Sequence, residues 1–204
     1  MSRADRLGTL FDLAYLALMT NLLLAVAVLP ALLSPWLLGL AAPAVCAAFA
    51  VFGGHPGPVV RTFVRAWLAS CRRALPLGAL ATGAVVVLAV DIRAAWRHPA
   101  GAVLIPVLAV LIALVLAGTL LALAALAERP AARLRDVLRI SGYLAVRRWY
   151  LTLPSLAVLA LFEMFLVAKP VLALGLAASP LLYLVWANSR WTLAPVLAPQ
   201  ERTS

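Results

Sequence analysis

The chain has 204 residues, of which 66% are hydrophobic and only 12% charged. Globular domains carry about 45–50% apolar and about 25% charged residues. With a mean hydropathy of +1.07, no soluble fold could hide this much apolar surface, so lipid must solvate much of it. The net charge of +10 would suggest nucleic acid in a soluble protein. Here the charges sit between long apolar runs and form no groove interleaved with aromatics, so nucleic acid is excluded as a partner.

A spanning helix needs about 20 mostly apolar residues. Six segments meet or approach that length: 13–33, 35–52, 74–90, 100–127, 149–168 and 170–187. Arg3 and Arg6 precede the first, as in a signal peptide. A signal core is about 7–15 residues, shorter than this run, so it is read as a span. The stretch Pro30–Pro35 separates the first two spans, and Gly53-Gly54-His55-Pro56-Gly57-Pro58 closes the second. Asp91 and Arg93 stop the third, and Asn188 and Arg190 end the sixth. Backbone groups in hydrocarbon must be paired within the chain. Outer-membrane strands would alternate in polarity, and these runs do not. The expected fold is an all-α polytopic transmembrane bundle of about six spans, forming one membrane domain.

Two basic amphipathic connectors interrupt the spans. In 58–75, Phe63, Val64, Trp67, Leu68 and Cys71 fall at helical spacing, with Arg61, Arg65 and Arg72 on another face. In 131–148, Leu134, Val137, Leu138 and Ser141 form a stripe, with Arg135, Asp136 and Arg139 off it. Such segments either lie along the cytoplasmic membrane surface, Arg meeting anionic headgroups, or extend the neighbouring spans. The connectors resemble each other: Arg61-x3-Arg65 parallels Arg135-x3-Arg139, and Arg72-Arg73 parallels Arg147-Arg148. Pro76 and Pro154 follow. This weak parallel repeat differs from the inverted repeats of many transporters. Eight of the connector arginines, Arg61, Arg65, Arg72, Arg73, Arg135, Arg139, Arg147 and Arg148, are candidate lipid or partner contacts.

Cytoplasmic loops are rich in Lys and Arg. With a cytoplasmic N-terminus and six spans, fourteen of the seventeen Lys and Arg residues fall inside. Only Arg93, Arg97 and Lys169 fall outside. The opposite orientation inverts the bias, so both termini are expected in the cytoplasm.

Against this background the chain resembles the YesL-like bacterial membrane proteins, a family of unknown function. The resemblance runs through Phe11-Asp12-Leu13, Thr20-Asn21-Leu22-Leu23 and Leu29-Pro30. It continues through Ala42-Pro43-Ala44-x2-Ala47, Thr62-Phe63-x2-Ala66-Trp67 and Asp91, and then more loosely through the basic Leu134–Arg148 connector. The turn Pro30-Ala31-Leu32-Leu33-Ser34-Pro35 lacks the Thr and Gly that follow Leu-Pro in the family. The resemblance implies a bacterial plasma-membrane protein with an accessory role near carbohydrate transport and a sugar-transporter subunit as partner. It brings no catalytic residues with it.

Intramembrane polar groups are costly and often functional. Asn21 lies mid-span and can hydrogen-bond across helices. Glu163 lies a little over a turn below the outer end of the fifth span, where a ligand or proton role competes with solvation at the interface. Asp12 is expected at the start of the first span, favouring its N-terminus or pairing with an Arg. Asp91 is expected to pair with Arg93 or Arg97, or to cap a turn. Trp36, Trp96, Trp149, Trp186, Trp191 and Tyr150 fall near span ends, as in an interfacial aromatic belt. Trp96 could also stack on carbohydrate. Gly175 and Ser179 form a small-xxx-small step that favours close helix packing.

Cys46 and Cys71 form no CxxC and are expected to be reduced. His55 and His98 fall on opposite sides, so they cannot share a metal, and no HExxH, GxSxG or P-loop pattern occurs. The expectation is a protein without cofactor or catalysis, an accessory or assembly partner. The alternative is a small transporter or channel, for which few polar residues are present to line a path.

Overall fold

The computed structural model describes residues 3–33, 39, 41–96, 101–129 and 132–197. The elements are α1 (Arg3–Leu33), α2 (Ala41–Gly53), α3 (Val59–Ala95), α4 (Gly101–Glu128), α5 (Leu134–Arg147) and α6 (Trp149–Ala168). One continuous rod follows: α7 (Pro170–Leu172), a π-helical segment (Ala173–Ala177) and α8 (Ala178–Leu197). No strand occurs among the described residues. Four helices are long and apolar enough to cross a membrane, over Phe11–Leu29, Val59–Ala95, Val103–Glu128 and Trp149–Ala168. Exposed Leu22, Val26, Leu80, Val87, Val107 and Met164 face outward from them. The described residues thus form an all-helical bundle whose four long apolar helices are consistent with a membrane-embedded protein.

The second and sixth predicted spans differ from these four. α2 has thirteen residues, about 20 Å at the helical rise, against a hydrocarbon core of about 30 Å. The first part of that predicted span, save Gly39, lies outside the described residues, as does Trp36. The final rod does not stop at Asn188 or Arg190 but runs on to Leu197. Asn188 is a helix-interior residue, because its side chain is used on a neighbouring helix, as described below.

The two connectors fold differently, so the weak repeat does not carry into structure. The first is an extension: α3 runs unbroken from Val59 to Ala95, through Arg72, Arg73 and the internal Pro76. Its 37 residues measure about 56 Å, well beyond the membrane core. The inward stripe includes Val59, Phe63, Ala74 and Leu77, with Ala66 and Trp67 packed beside it. Val64 and Leu68 point outward. α3 also passes Asp91 without a break, and no ion pair joins Asp91 to Arg93 among the described residues. The second connector is a separate helix, α5, whose Val137, Ser141, Leu144 and Ala145 are buried against the bundle. The chain breaks at Arg148, with φ −114° and ψ 40°, before α6 begins.

Asp12 sits well inside α1, which starts ten residues before the predicted span. It is exposed and unpaired among the described residues, and it is too far from the N-terminus for the dipole to matter.

The core centres on α2. Nine of its thirteen residues are buried, four of them alanines, and it packs against α1, α3, α4 and α8. Between helices in lipid, close approach and van der Waals contact replace the hydrophobic drive. Gly78 of α3 provides a close approach to α2. A Cβ there would lie 2.6 Å from the Ala42 Cβ and 2.8 Å from the Gly39 carbonyl oxygen. Gly83, further along the same helix, has open space at that position. At one end of the bundle, Phe52, Tyr183 and Trp186 form an aromatic cluster with centroids 5.4–6.0 Å apart. Trp186 is therefore a core residue, 7% exposed, and not part of an interfacial belt. Trp96, Trp149, Tyr150 and Trp191 are exposed.

Gly78→Ala should lower stability by about 1–3 kcal/mol through overpacking. Gly83→Ala should leave it unchanged or slightly raised. Thermal unfolding of the two variants in the same detergent checks the contrast.

Candidate functional site

Three groups of polar side chains could carry a function: those inside the bundle, Glu163 on its flank, and the arginines at one end.

Inside the bundle, Asn21 is 2% exposed. Its Nδ2 donates to the Gly175 carbonyl at 3.0 Å, and its Oδ1 accepts from the Ser179 backbone N–H. In an uninterrupted α-helix, the Ser179 N–H would bond to the Gly175 carbonyl. The π segment opens that step, and the Asn21 carboxamide fills it. The small-xxx-small step therefore acts through its backbone. Gly175 is exposed with open space at its Cβ position, so it serves no close approach. Thr20 beside Asn21 is fully buried, and its hydroxyl has no partner among the described residues.

Asn188 of α8 makes a second bridge between helices, to α6, through its donor alone. Its Nδ2 donates to the Leu151 carbonyl and, at 2.8 Å, to the Ser155 hydroxyl. Pro154 lies at this turn, where it removes a donor and disturbs the preceding carbonyls. Asn188 drew no attention in the sequence beyond ending a span. A polar side chain within reach of a mid-span proline was the available signal.

Glu163 faces outward from α6 and has no hydrogen bond or ion pair among the described residues. It does not share a site with Asn21.

The arginines gather at the end where α2, α4 and α8 finish and α3 and α6 begin. There Arg190 pairs with Glu128 at 3.2 Å and lies 5.1 Å from the Trp186 ring centroid. Arg147 covers the Tyr143 ring at 5.6 Å. Arg148 is half-buried and donates to the Thr192 carbonyl at 3.5 Å. Arg61, Arg65, Arg72, Arg73, Arg135 and Arg139 are exposed and meet no carboxylate among the described residues.

At the same end, α2, α3 and α4 enclose a half-open cavity of about 510 Å³. Arg61, Thr62 and Arg65 line it together with Cys46 and Ser70 and a wall of alanines. Both cysteines are free, and the Cys46 thiol donates to the Leu123 carbonyl at 3.7 Å. Among the described residues, no group of three or more His, Cys, Asp and Glu side chains could hold a metal. His98 and Arg97 lie outside the described residues.

Comparison with family models, with curated proteins and with solved structures finds no match.

Asn21→Leu and Asn188→Leu should each lower stability by about 1–3 kcal/mol, since each strands backbone groups in an apolar interior. Gly175→Ala and Glu163→Gln should stay within about 0.5 kcal/mol of the parent, as substitutions at open positions do. Unfolding in a nonionic detergent, followed by circular dichroism, checks all four.

Proposed function

We propose that this chain is a non-enzymatic accessory or assembly protein of a bacterial plasma membrane. It crosses the bilayer six times with both termini in the cytoplasm, and it acts through its basic cytoplasmic face on a partner linked to carbohydrate transport. The observation that carries this reading is the set of exposed arginines with no carboxylate among the described residues, on α3 and α5 at one end of the bundle. Unpaired guanidiniums suit anionic headgroups or the acidic surface of a partner. The fourteen-to-three division of basic residues supports placing that end in the cytoplasm. The carbohydrate link rests on the resemblance to the YesL-like proteins alone.

The alternative, a small transporter or channel, needs polar groups along an interior path. Asn21 and Asn188 are held in bonds between helices, and Glu163 faces outward.

Two experiments test the proposal. Single cysteines introduced at Gly57 and Tyr143 in a cysteine-free background should be protected from impermeant thiol reagents in intact cells, whereas one at Trp96 should react. Labelling at Gly57 and Tyr143 from outside would refute the orientation. A photocrosslinker at Tyr143 or Leu68, both exposed, should trap a transporter subunit. Recovery of lipid alone would refute the assembly role.

A further inference from the structure

The basic face includes the cavity between α2, α3 and α4. We infer that it is a site for a phosphate ester, supplied by an anionic phospholipid of the cytoplasmic leaflet. This deepens the proposal above and rests on its orientation.

The lining has the chemistry of an amphiphilic anion site. Arg61 and Arg65 are four residues apart on α3, so they share a face. Thr62 adds a hydroxyl between them; the Ser70 hydroxyl two turns along is already donated to the Trp67 carbonyl at 3.2 Å. Neither guanidinium meets a carboxylate among the described residues. Glu128, next on α4 to the lining residue Ala127, is held by Arg190 on the α8 side. The cavity also opens beside the start of α3, at Pro58, where the positive end of a long helix dipole adds to the attraction. The remaining wall is apolar: Ala50, Ala66, Ala69, Leu126 and Ala127. Guanidiniums bind phosphate bidentately, and an alanine wall suits the glycerol and first methylenes of a lipid. A volume of about 510 Å³ falls within the range of small-molecule sites, about 300–1,000 Å³.

Depth agrees with this ligand. The apolar part of α4 begins at Val103, and about 20 residues cross the hydrocarbon core. Counted from Val103 the core would end near Leu123, whose carbonyl meets the lining residue Cys46, while the apolar stretch itself runs on to Glu128. Leu126 and Ala127 lie about a turn further on, at headgroup level. A lipid phosphate would meet the two arginines without leaving its own layer.

The test uses the full chain, purified and delipidated in a neutral detergent. Dihexanoyl phosphatidylglycerol, dihexanoyl phosphatidylcholine and inorganic phosphate are titrated by calorimetry. Phosphatidylglycerol should bind saturably and phosphatidylcholine much more weakly. Arg61→Gln with Arg65→Gln should weaken phosphatidylglycerol about tenfold or more, the worth of a charge-assisted bond to phosphate. Ala69→Phe should block it by filling the wall at an exposed position without changing charge. Arg135→Gln with Arg139→Gln should leave it unchanged. Equal losses from the two arginine pairs would overturn the cavity in favour of a diffuse basic face, leaving the assembly proposal standing. Inorganic phosphate binding as tightly as phosphatidylglycerol would overturn the lipid as source. Absence of binding by the parent protein would overturn the site itself. An external location for Gly57 in the thiol experiment would remove the orientation on which the site depends.

Discussion

A helix in hydrocarbon has no water to satisfy a backbone group that its own ladder leaves open. That constraint governs how this bundle is joined. The ladder is disturbed inside the apolar region at the π segment Ala173–Ala177 and at Pro154 of α6. The chain contains two asparagines, and each is spent on one of these places. Asn21 bridges Gly175 and Ser179, and Asn188 reaches Leu151 and Ser155. At the π segment the Asn21 carboxamide offers donor and acceptor together, the pair that an opened ladder step leaves behind, whereas Asn188 uses its donor alone. The last rod thus receives a side chain from α1 and sends one to α6. Apolar helix faces in lipid slide at little cost, since acyl chains are as apolar as the leucines they replace. These directional bonds resist such sliding and fix the register of three helices.

Packing around α2 solves a different problem. A helix of thirteen residues cannot contribute much lipid-facing length, but it can be surrounded. Its alanines let α1, α3, α4 and α8 approach, and Gly78 lets the α3 backbone meet Ala42 and Gly39. The aromatic cluster of Phe52, Tyr183 and Trp186 then fills the space where α2 ends against α8. Arg190 and Glu128 close the same corner from α8 and α4. Small residues set the distances and large ones occupy the ends, and both depend on the last rod being held in register.

What could be read from the sequence follows from how local each signal is. Apolar length is local, so the membrane character and four long helices were legible. Helix ends are less so, because charge marks where the membrane stops and not where the helix does. Between Val59 and Ala95 the sole proline is Pro76, and the arginines before it are good helix formers, so connector and span fold as one. Asn21 was legible as a residue seeking a partner on another helix. Its partner was not, because the run Leu172–Ala177 carries no proline or other mark of a π segment. Trp186 looked like a belt residue because aromatics near span ends usually are. Only the contact with Phe52, 134 residues away in sequence, makes it core.

Polar groups inside the bundle and those at its basic end are used in opposite ways. Inside, Asn21 and Asn188 are committed to backbone groups, and in an apolar interior such a bond is far better kept than broken. At the basic end, the α3 arginines are exposed and meet no carboxylate among the described residues, while Glu128 of α4 pairs with Arg190. Internal neutralisation was available in part, and the fold directs it to Arg190, where the ion pair closes the corner beside Trp186. The charge kept at the cavity lies on a helix that continues past Pro76 to the close contact of Gly78 with Ala42 and Gly39.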